Sequence, residues 1–279
     1  MNGWAEAVLL GLLQGLTEFL PVSSSAHLRI AGAFLPSGTD PGAAFTAITQ
    51  IGTEAAVLLY FRRDIWRIAT AWLRSLRSPR MLGGPDVADA RMGWLVILGT
   101  LPIAVLGLAF KEAIEGPLGN LYLTAGMLIL FAVLLGFADR RGFRQKPLEA
   151  LSWRDGLLFG FAQALALVPG VSRSGGTISA GLAMGYTREA AARYSFLLAI
   201  PAVLASGFLQ LFDSWGRFGP MTPGQTALAT GLAFVVGYIV IALFLRIVAT
   251  SSYMPFVIYR IAAGSALLVM LLTGMIPPT

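Results

Sequence analysis

Residues 14–27 read QGLTEFLPVSSSAH: one acid, three consecutive serines and the only histidine of the chain, set in sequence that is otherwise apolar. The run interrupts an apolar stretch at about residues 4–35 with a polar turn containing Pro21. A second apolar stretch, about 155–187, is interrupted in the same way by PGVSRSGGT at 169–177. Neither stretch reads as a clean membrane crossing. Unpaired backbone at membrane depth is tolerated only where protein buries it or where it lines a wet cavity. The two turns are therefore expected to mark a cavity, each at the tip of a re-entrant helical hairpin.

The surrounding composition supports a membrane setting. Hydrophobic residues make up 56% of the 279 and charged residues only 12%, and the mean hydropathy is strongly positive, as expected of a membrane protein. The absence of cysteine excludes disulfides, thiolate nucleophiles and cysteine metal sites, so any chemistry must use oxygen, imidazole or guanidinium groups. Trp4 and Glu6 stand where a secretory signal would carry its basic start, so residue 1 onward is expected to belong to the mature protein. The net charge of +6 arises from arginines beside apolar segments, a pattern that reports topology and not a nucleic-acid partner.

A spanning helix needs about 20 largely apolar residues, and six segments come near that, at about 43–61, 93–110, 120–137, 190–212, 225–247 and 254–274. The loop 62–92 carries Arg62, Arg63, Arg67, Arg74, Arg77, Arg80 and Arg91, and the loop 138–154 carries Arg140, Arg141, Arg144, Lys146 and Arg154. The positive-inside rule makes both loops cytoplasmic. The turn with Lys111, Glu112 and Glu115, and the stretch with Asp213 and Arg217, then fall outside. By this parity the first hairpin starts and ends outside, and the second on the cytoplasmic side.

The hairpins also resemble each other. QGLTEFLPVSSSAHLRIAG lies over QALALVPGVSRSGGTISAG, matching Gln14 with Gln163, Ser23 with Ser172 and Gly32 with Gly181 at an offset of 149. Each copy is followed by three expected spans, and an odd number inverts the second copy relative to the first. The expected fold is an all-α polytopic membrane protein, with about six transmembrane helices and two re-entrant helical hairpins in an inverted-topology repeat. It forms one membrane domain, 1–279, with repeat 1 at about 1–137 and repeat 2 at about 155–274, joined by a cytoplasmic loop at about 138–154. The functional site is expected where the copies meet near mid-membrane.

Arg173 is a permanent cation flanked by Ser172, Ser174, Gly175 and Gly176. Its fork suits phosphate, the glycines let backbone N–H groups approach, and a helix expected to begin near Thr177 would present its positive end. The alternative to phosphate binding is a structural arginine paired with Glu18 or Glu54, or an anchor near the interface. On the first tip, Ser23, Ser24 and Ser25 are candidate nucleophiles or helix caps. His27 lies three residues after Ser24, on one helical face with it, so Ser24 is the preferred nucleophile and His27 a proton carrier. Glu18 sits in the interrupted helix, where an intramembrane carboxylate lines a functional cavity by default. Glu54, one turn after Gln50 in the first span, is a second such carboxylate, or a structural one bonded to Thr49, Thr53 or a neighbouring helix. Arg260 is read as a phosphate or headgroup contact or as an interface anchor, and Arg188 as attracting anionic substrate. Trp66, Trp72 and the basic loop read as an amphipathic segment on the cytoplasmic surface, and Gly181 and Gly185 as close helix packing.

GLTEFLPVSSSAH and PGVSRSGGTIS resemble the two signature motifs of the undecaprenyl-diphosphate phosphatases of the bacitracin-resistance family. The resemblance extends through TQIGTEAAVLLYFRRD, GTLPIAVLGL, SFLLAIPAVLASG and YMPFVIYR, in the family's order. It implies an enzyme of the bacterial cytoplasmic (inner) membrane that removes one phosphate from C55 isoprenyl diphosphate at the outer face. That reaction recycles the lipid carrier for peptidoglycan synthesis and confers bacitracin resistance. The resemblance also implies Ser24 as nucleophile, with Glu18 and His27 in the catalytic set. Where many members carry a second glutamate one turn before Glu18, this chain has Gln14, which cannot neutralise a divalent cation. Glu54 is expected to supply the missing carboxylate for Mg²⁺ or Ca²⁺ beside Glu18. The expected partners are the C55 lipid and the membrane, with no nucleic acid and with a homodimer left open. An alternative reading, a transporter or flippase of isoprenyl phosphate or another amphipathic anion, shares the same cavity.

Overall fold

The computed structural model describes residues 3–35, 42–77, 84–115, 117–213 and 221–278; Arg80 and Arg217 lie outside them. The described residues form twelve α-helices: α1 (Gly3–Thr17), α2 (Ser24–Phe34), α3 (Gly42–Tyr60), α4 (Arg62–Arg77), α5 (Pro85–Ala109), α6 (Lys111–Glu115), α7 (Leu121–Arg141), α8 (Trp153–Ala164), α9 (Arg173–Ala183), α10 (Arg188–Asp213), α11 (Pro223–Thr250) and α12 (Met254–Leu272). Five of these, α5, α7, α10, α11 and α12, are long and apolar enough to cross a membrane. Together α3 and α4 qualify as a sixth, bent by 80°. The expected spans are thus present, although α5 begins eight residues before the apolar segment at 93 because Pro85 at its first position is preorganised for a helix start.

Length separates the hairpin helices from the spans. At about 1.5 Å per residue, the 15 residues of α1 reach only about 22 Å, short of a hydrocarbon core about 30 Å thick. The 11 or 12 residues of α2, α8 and α9 reach less. Each pair instead turns back. The Gly185 carbonyl after α9 accepts from Gln145 N, and Thr187 N donates to the Lys146 carbonyl, at 2.9 and 3.0 Å. The second hairpin therefore ends against the loop from which it starts. In the first, Ala7 and Leu10 of α1, Leu28 within α2 and Leu35 at its end pack in one cluster with Phe45 and Met221.

The bend after α3 throws α4 sideways, with Arg62, Arg63, Trp66, Arg74 and Arg77 exposed and Ala71 buried. The Trp72 ring packs edge-on against Trp94, centroids 5.7 Å apart. One polar and one apolar face on a helix turned across the span direction is the form of a surface-lying segment, as the basic loop led us to expect.

The halves interlock reciprocally. Helix α1 packs on α11, and α8 packs on α5; α3 packs on α10, and α7 on α12. Two of these contacts rest on glycines 149 positions apart. A Cβ at Gly11 would lie 2.6 Å from Ala229 O, and one at Gly160 would lie 2.5 Å from Gly99 O. Small residues are needed where helix backbones approach this closely. Under the tips, Phe19, Phe61, Phe196 and Phe244 form a buried aromatic cluster with Ile178 and Leu182, with Phe19 edge-on to Phe196 at 5.3 Å.

Three local expectations are corrected. Helix α9 begins at Arg173, not near Thr177, because the Ser172 hydroxyl accepts from Gly175 N and caps it. Arg188 does not face the tips: its Nε donates to Asp139 at 2.6 Å, and the other Asp139 oxygen accepts from Tyr253 N at 3.0 Å, tying together the ends of α7, α10 and α12. Gly181 does serve close packing, a Cβ there lying 2.6 Å from Phe159 Cζ, but Gly185 has a φ of +92° and no close neighbour, so it serves the turn.

Candidate active site

The two tips meet. Ser174 donates to the Leu20 carbonyl at 3.0 Å, and Arg173 reaches from the start of α9 to Glu18 on the other tip. One Glu18 oxygen accepts from Arg173 Nη2 at 2.6 Å; the other accepts from Ser24 Oγ at 2.6 Å and from Gln14 Nε2 at 2.8 Å. Arg173 Nη2 also donates to Glu54 at 3.1 Å. The side chains of Glu18 and Glu54 are 4% and 0% exposed and that of Arg173 14%, so this is a buried ion-paired cluster. With both acids ionised, −2 and +1 leave one formal negative charge. Glu54 is bonded to Arg173 and not to Thr49 or Thr53, whose hydroxyls donate to main-chain carbonyls of their own helix.

Matched backbone strain brings the tips to this point. Ser23 and Ser172, equivalent at the offset of 149, have φ values of 72° and 68°, a region that non-glycine residues enter at a cost of about 1–3 kcal/mol. Each immediately precedes a helix, the one opening at Ser24 and the other at Arg173. Ser23 makes no side-chain cap; its hydroxyl lies 3.3 Å from that of Ser25. Ser172 and Ser174 are likewise 3.2 Å apart.

Arg260 holds the tips together, a role that sequence reasoning missed. It is fully buried, with Nε donating to Leu128 O at 3.1 Å, Nη1 to Pro21 O at 2.9 Å, and Nη2 to Gly170 O at 2.9 Å and Val171 O at 3.0 Å. One guanidinium thus serves carbonyls of both irregular tips and of α7, the internal satisfaction that non-helical backbone in a membrane requires. Gly175 makes room for it, since a Cβ there would lie 2.5 Å from Arg260 Nη1. Gly170, at φ +94°, passes so close to α7 that a Cβ would lie 2.3 Å from Thr124 O. The available signal was the arginine itself, a charge inside an apolar span.

His27 shares the first turns of α2 with Ser24 but is not bonded to it. Its Nδ1 lies 2.7 Å from Ser23 O and its Nε2 lies 2.6 Å from the Tyr259 hydroxyl. The i, i+3 spacing put His27 and Ser24 on one face without fixing where the ring turns, and a tyrosine 232 positions away claims it. Ser24 is paired with Glu18 instead.

Thr177 is turned away from the tips. Its hydroxyl donates to Arg173 O at 2.8 Å and lies 2.6 Å from that of Ser195. Gly176 packs its Cα against α8, a Cβ there lying 3.1 Å from Ala162 O. Among the described residues, none of the hydrogen bonds that join the tips involves Gln50.

For a cation, the available donors are oxygens. Glu54 Oε2 and Gln14 Oε1 are buried with no hydrogen-bond partner among the described residues, and Glu18 lies between them through Gln14 and Arg173. Two carboxylates and an amide oxygen are the hard ligand type that Mg²⁺ and Ca²⁺ take, so the donor chemistry fits, with Arg173 as the resident counter-charge. Chemically, the cluster pairs a serine hydroxyl with a carboxylate acceptor and sets a guanidinium within the same network.

The family model of the bacitracin resistance protein BacA matches residues 7–266. The chain is 68% identical over 275 residues to undecaprenyl-diphosphatase 2 of Agrobacterium fabrum, covering 98% of both chains. It is 60% identical over 276 residues to undecaprenyl-diphosphatase of Micrococcus luteus, covering 98% of this chain and 99% of that one. It is 58% identical over 288 residues to undecaprenyl-diphosphatase 2 of Streptomyces coelicolor, covering 99% and 97% respectively.

Proposed function

Because the chain belongs to the bacitracin resistance protein BacA family, we propose that it is an integral-membrane phosphatase that hydrolyses undecaprenyl diphosphate to undecaprenyl phosphate and inorganic phosphate. The observation that carries the reading is the continuous link from Ser24 through Glu18 to Arg173, each bond 2.6 Å, between two tips 149 positions apart. Relatives matched end to end carry an enzyme's name, which does not favour the transporter alternative.

Glu18 takes the Ser24 proton as Oγ attacks the terminal phosphorus. The phosphorus–oxygen bond to the lipid monophosphate breaks, and the phosphoryl group passes to Ser24. Phosphoryl transfer demands mainly in-line positioning and charge stabilisation, and Arg173 supplies the cation, its second nitrogen Nη1 lacking a partner among the described residues. Water then attacks the phosphoserine, giving up a proton toward His27, while Ser24 recovers its proton from Glu18. Ser23, Ser25, Ser172 and Ser174 surround the phosphates, whereas the expected Gly175 and Gly176 N–H groups are taken by the Ser172 hydroxyl and carbonyl at the start of α9. A bound Mg²⁺ or Ca²⁺, held by Glu18, Glu54 and the Gln14 oxygen, would polarise phosphate oxygens.

The two hairpin halves form an inverted repeat in the bacterial cytoplasmic membrane, with the site opening to the outer side. The support is that the ends of the first hairpin pack with Met221, before α11, while the basic loop around Lys146 borders the second. One chain supplies every residue named, so a dimer is not needed to complete the site.

Phosphate release by purified protein in detergent tests the reading. Ser24→Ala is expected to lower the rate from C55 or C15 diphosphate by about 10³-fold or more, since removal of a catalytic nucleophile has effects of that order or larger; a wild-type rate would refute Ser24 as nucleophile. Glu54→Gln is expected to abolish the response to added Mg²⁺ or Ca²⁺ and to weaken cation binding measured by calorimetry. Unchanged binding and cation response would remove Glu54 from the ligand set.

A further inference from the structure

Tyr259 enters none of the chemistry above, yet it makes the closest side-chain contact of the chain's only histidine. Its hydroxyl is 2.6 Å from His27 Nε2, the rings stack at 5.5 Å with an interplanar angle of 11°, and the side chain is about half exposed. On the other side of the imidazole, Nδ1 lies 2.7 Å from Ser23 O. A carbonyl can only accept, so Nδ1 carries the ring proton. In the neutral ring Nε2 is then the acceptor, and the tyrosine hydroxyl must be the donor.

We propose that Tyr259 is the proton relay of His27: with Nδ1–H held on Ser23 O, the tyrosine hydroxyl donates to Nε2 and connects it to water on the open side of the site. The proposal rests on the phosphatase reading and gives His27 a route for the proton assigned to it there. As water attacks the phosphoserine, its O–H bond breaks and its proton passes to the tyrosine oxygen. The tyrosine's own proton passes to Nε2, and the tyrosine O–H is restored as imidazolium forms. The ring need not turn, so its anchorage on Ser23, in the strained tip, is kept throughout. The neighbouring sequence fits the role. Arg260, the next residue of α12, is fixed to Pro21, Gly170 and Val171, so the helix position of Tyr259 is set by the same tips that hold Ser23. The charge that acts on His27 is that of Arg260, the next residue of α12.

A single histidine makes the test direct. Protein labelled with ¹⁵N-histidine, purified without a histidine tag and placed in lipid vesicles, gives one imidazole whose two nitrogens report the tautomer. At a fixed pH where the ring is neutral, the wild type is expected to show a protonated Nδ1 and a hydrogen-bonded, unprotonated Nε2. In Tyr259→Phe, Nε2 is expected to lose its donor and shift, with kcat falling about tenfold to hundredfold, KM within about twofold of wild type and the melting midpoint nearly unchanged. An imidazole spectrum unmoved by Tyr259→Phe overturns the proposal, and so does a rise in KM at constant kcat, which marks a lipid contact. The spectrum is read without turnover, so an inactive wild type would count against the phosphatase reading alone.

Discussion

Replacing Arg173 by lysine is expected to cut phosphate release at saturating substrate by about 10² to 10³-fold, the range for losing one preorganised charge stabiliser, with little change in the melting midpoint. Lysine keeps a positive charge near Glu18 and Glu54, so the buried acids keep their one cationic partner. It loses the planar fork that can hold carboxylates on one edge and phosphate oxygens on the other. Arg173→Ala is expected to do something different. It leaves two carboxylates, 4% and 0% exposed, without their common partner, and uncompensated buried charge costs about 3–5 kcal/mol. Activity and stability should fall together in alanine and separate in lysine. Initial rates and thermal unfolding on the same detergent preparations check both; a lysine variant as fast as wild type would show that a point charge suffices.

The second large effect belongs to Arg260, which stands outside the proposed chemistry. Arg260→Met keeps much of the apolar stem but leaves the carbonyls of Pro21, Gly170 and Val171 without a donor. Each unsatisfied buried group costs about 1–3 kcal/mol. Relief from burying a cation offsets part of this, but the carbonyls stay behind when the guanidinium goes, so destabilisation wins by several kcal/mol. At about 2–4 °C per kcal/mol for a chain of this size, the unfolding midpoint should drop by about 10 °C. Arg260→Lys, with three donors on one nitrogen, should fall between. A methionine variant that melts with the wild type would show that the tips are held apart from Arg260.

The contrast between these two arginines shows what the sequence could reveal. Composition and the 20-residue apolar length located all the spans. Two polar turns that match at an offset of 149 located the tips, because oily helices have no other reason to give way before Pro21 and Pro169. Arg173 was legible for the same reason, as a cation between serines and glycines. Arg260 was not: a lone arginine in an apolar helix signals a partner, but its partners are backbone carbonyls of segments 89 to 239 positions away, which no local pattern encodes. The partners of His27 were not legible either. Helical spacing placed it beside Ser24, but the rotamer was decided by Ser23 O and Tyr259. Thr177 and Arg188 had polar side chains of the right type near the right motif, yet Ser195 and Asp139 claim them. Periodicity assigns faces; it does not assign partners.

The central claim is that both tips serve one lipid diphosphate, and a structure with a non-hydrolysable C55 or C15 bisphosphonate bound tests it most directly. The account predicts the terminal phosphonate within hydrogen-bonding reach of Ser24 Oγ and of Arg173 together, with Glu18 still facing Ser24. A bisphosphonate seated on one tip alone, or away from both, would contradict it.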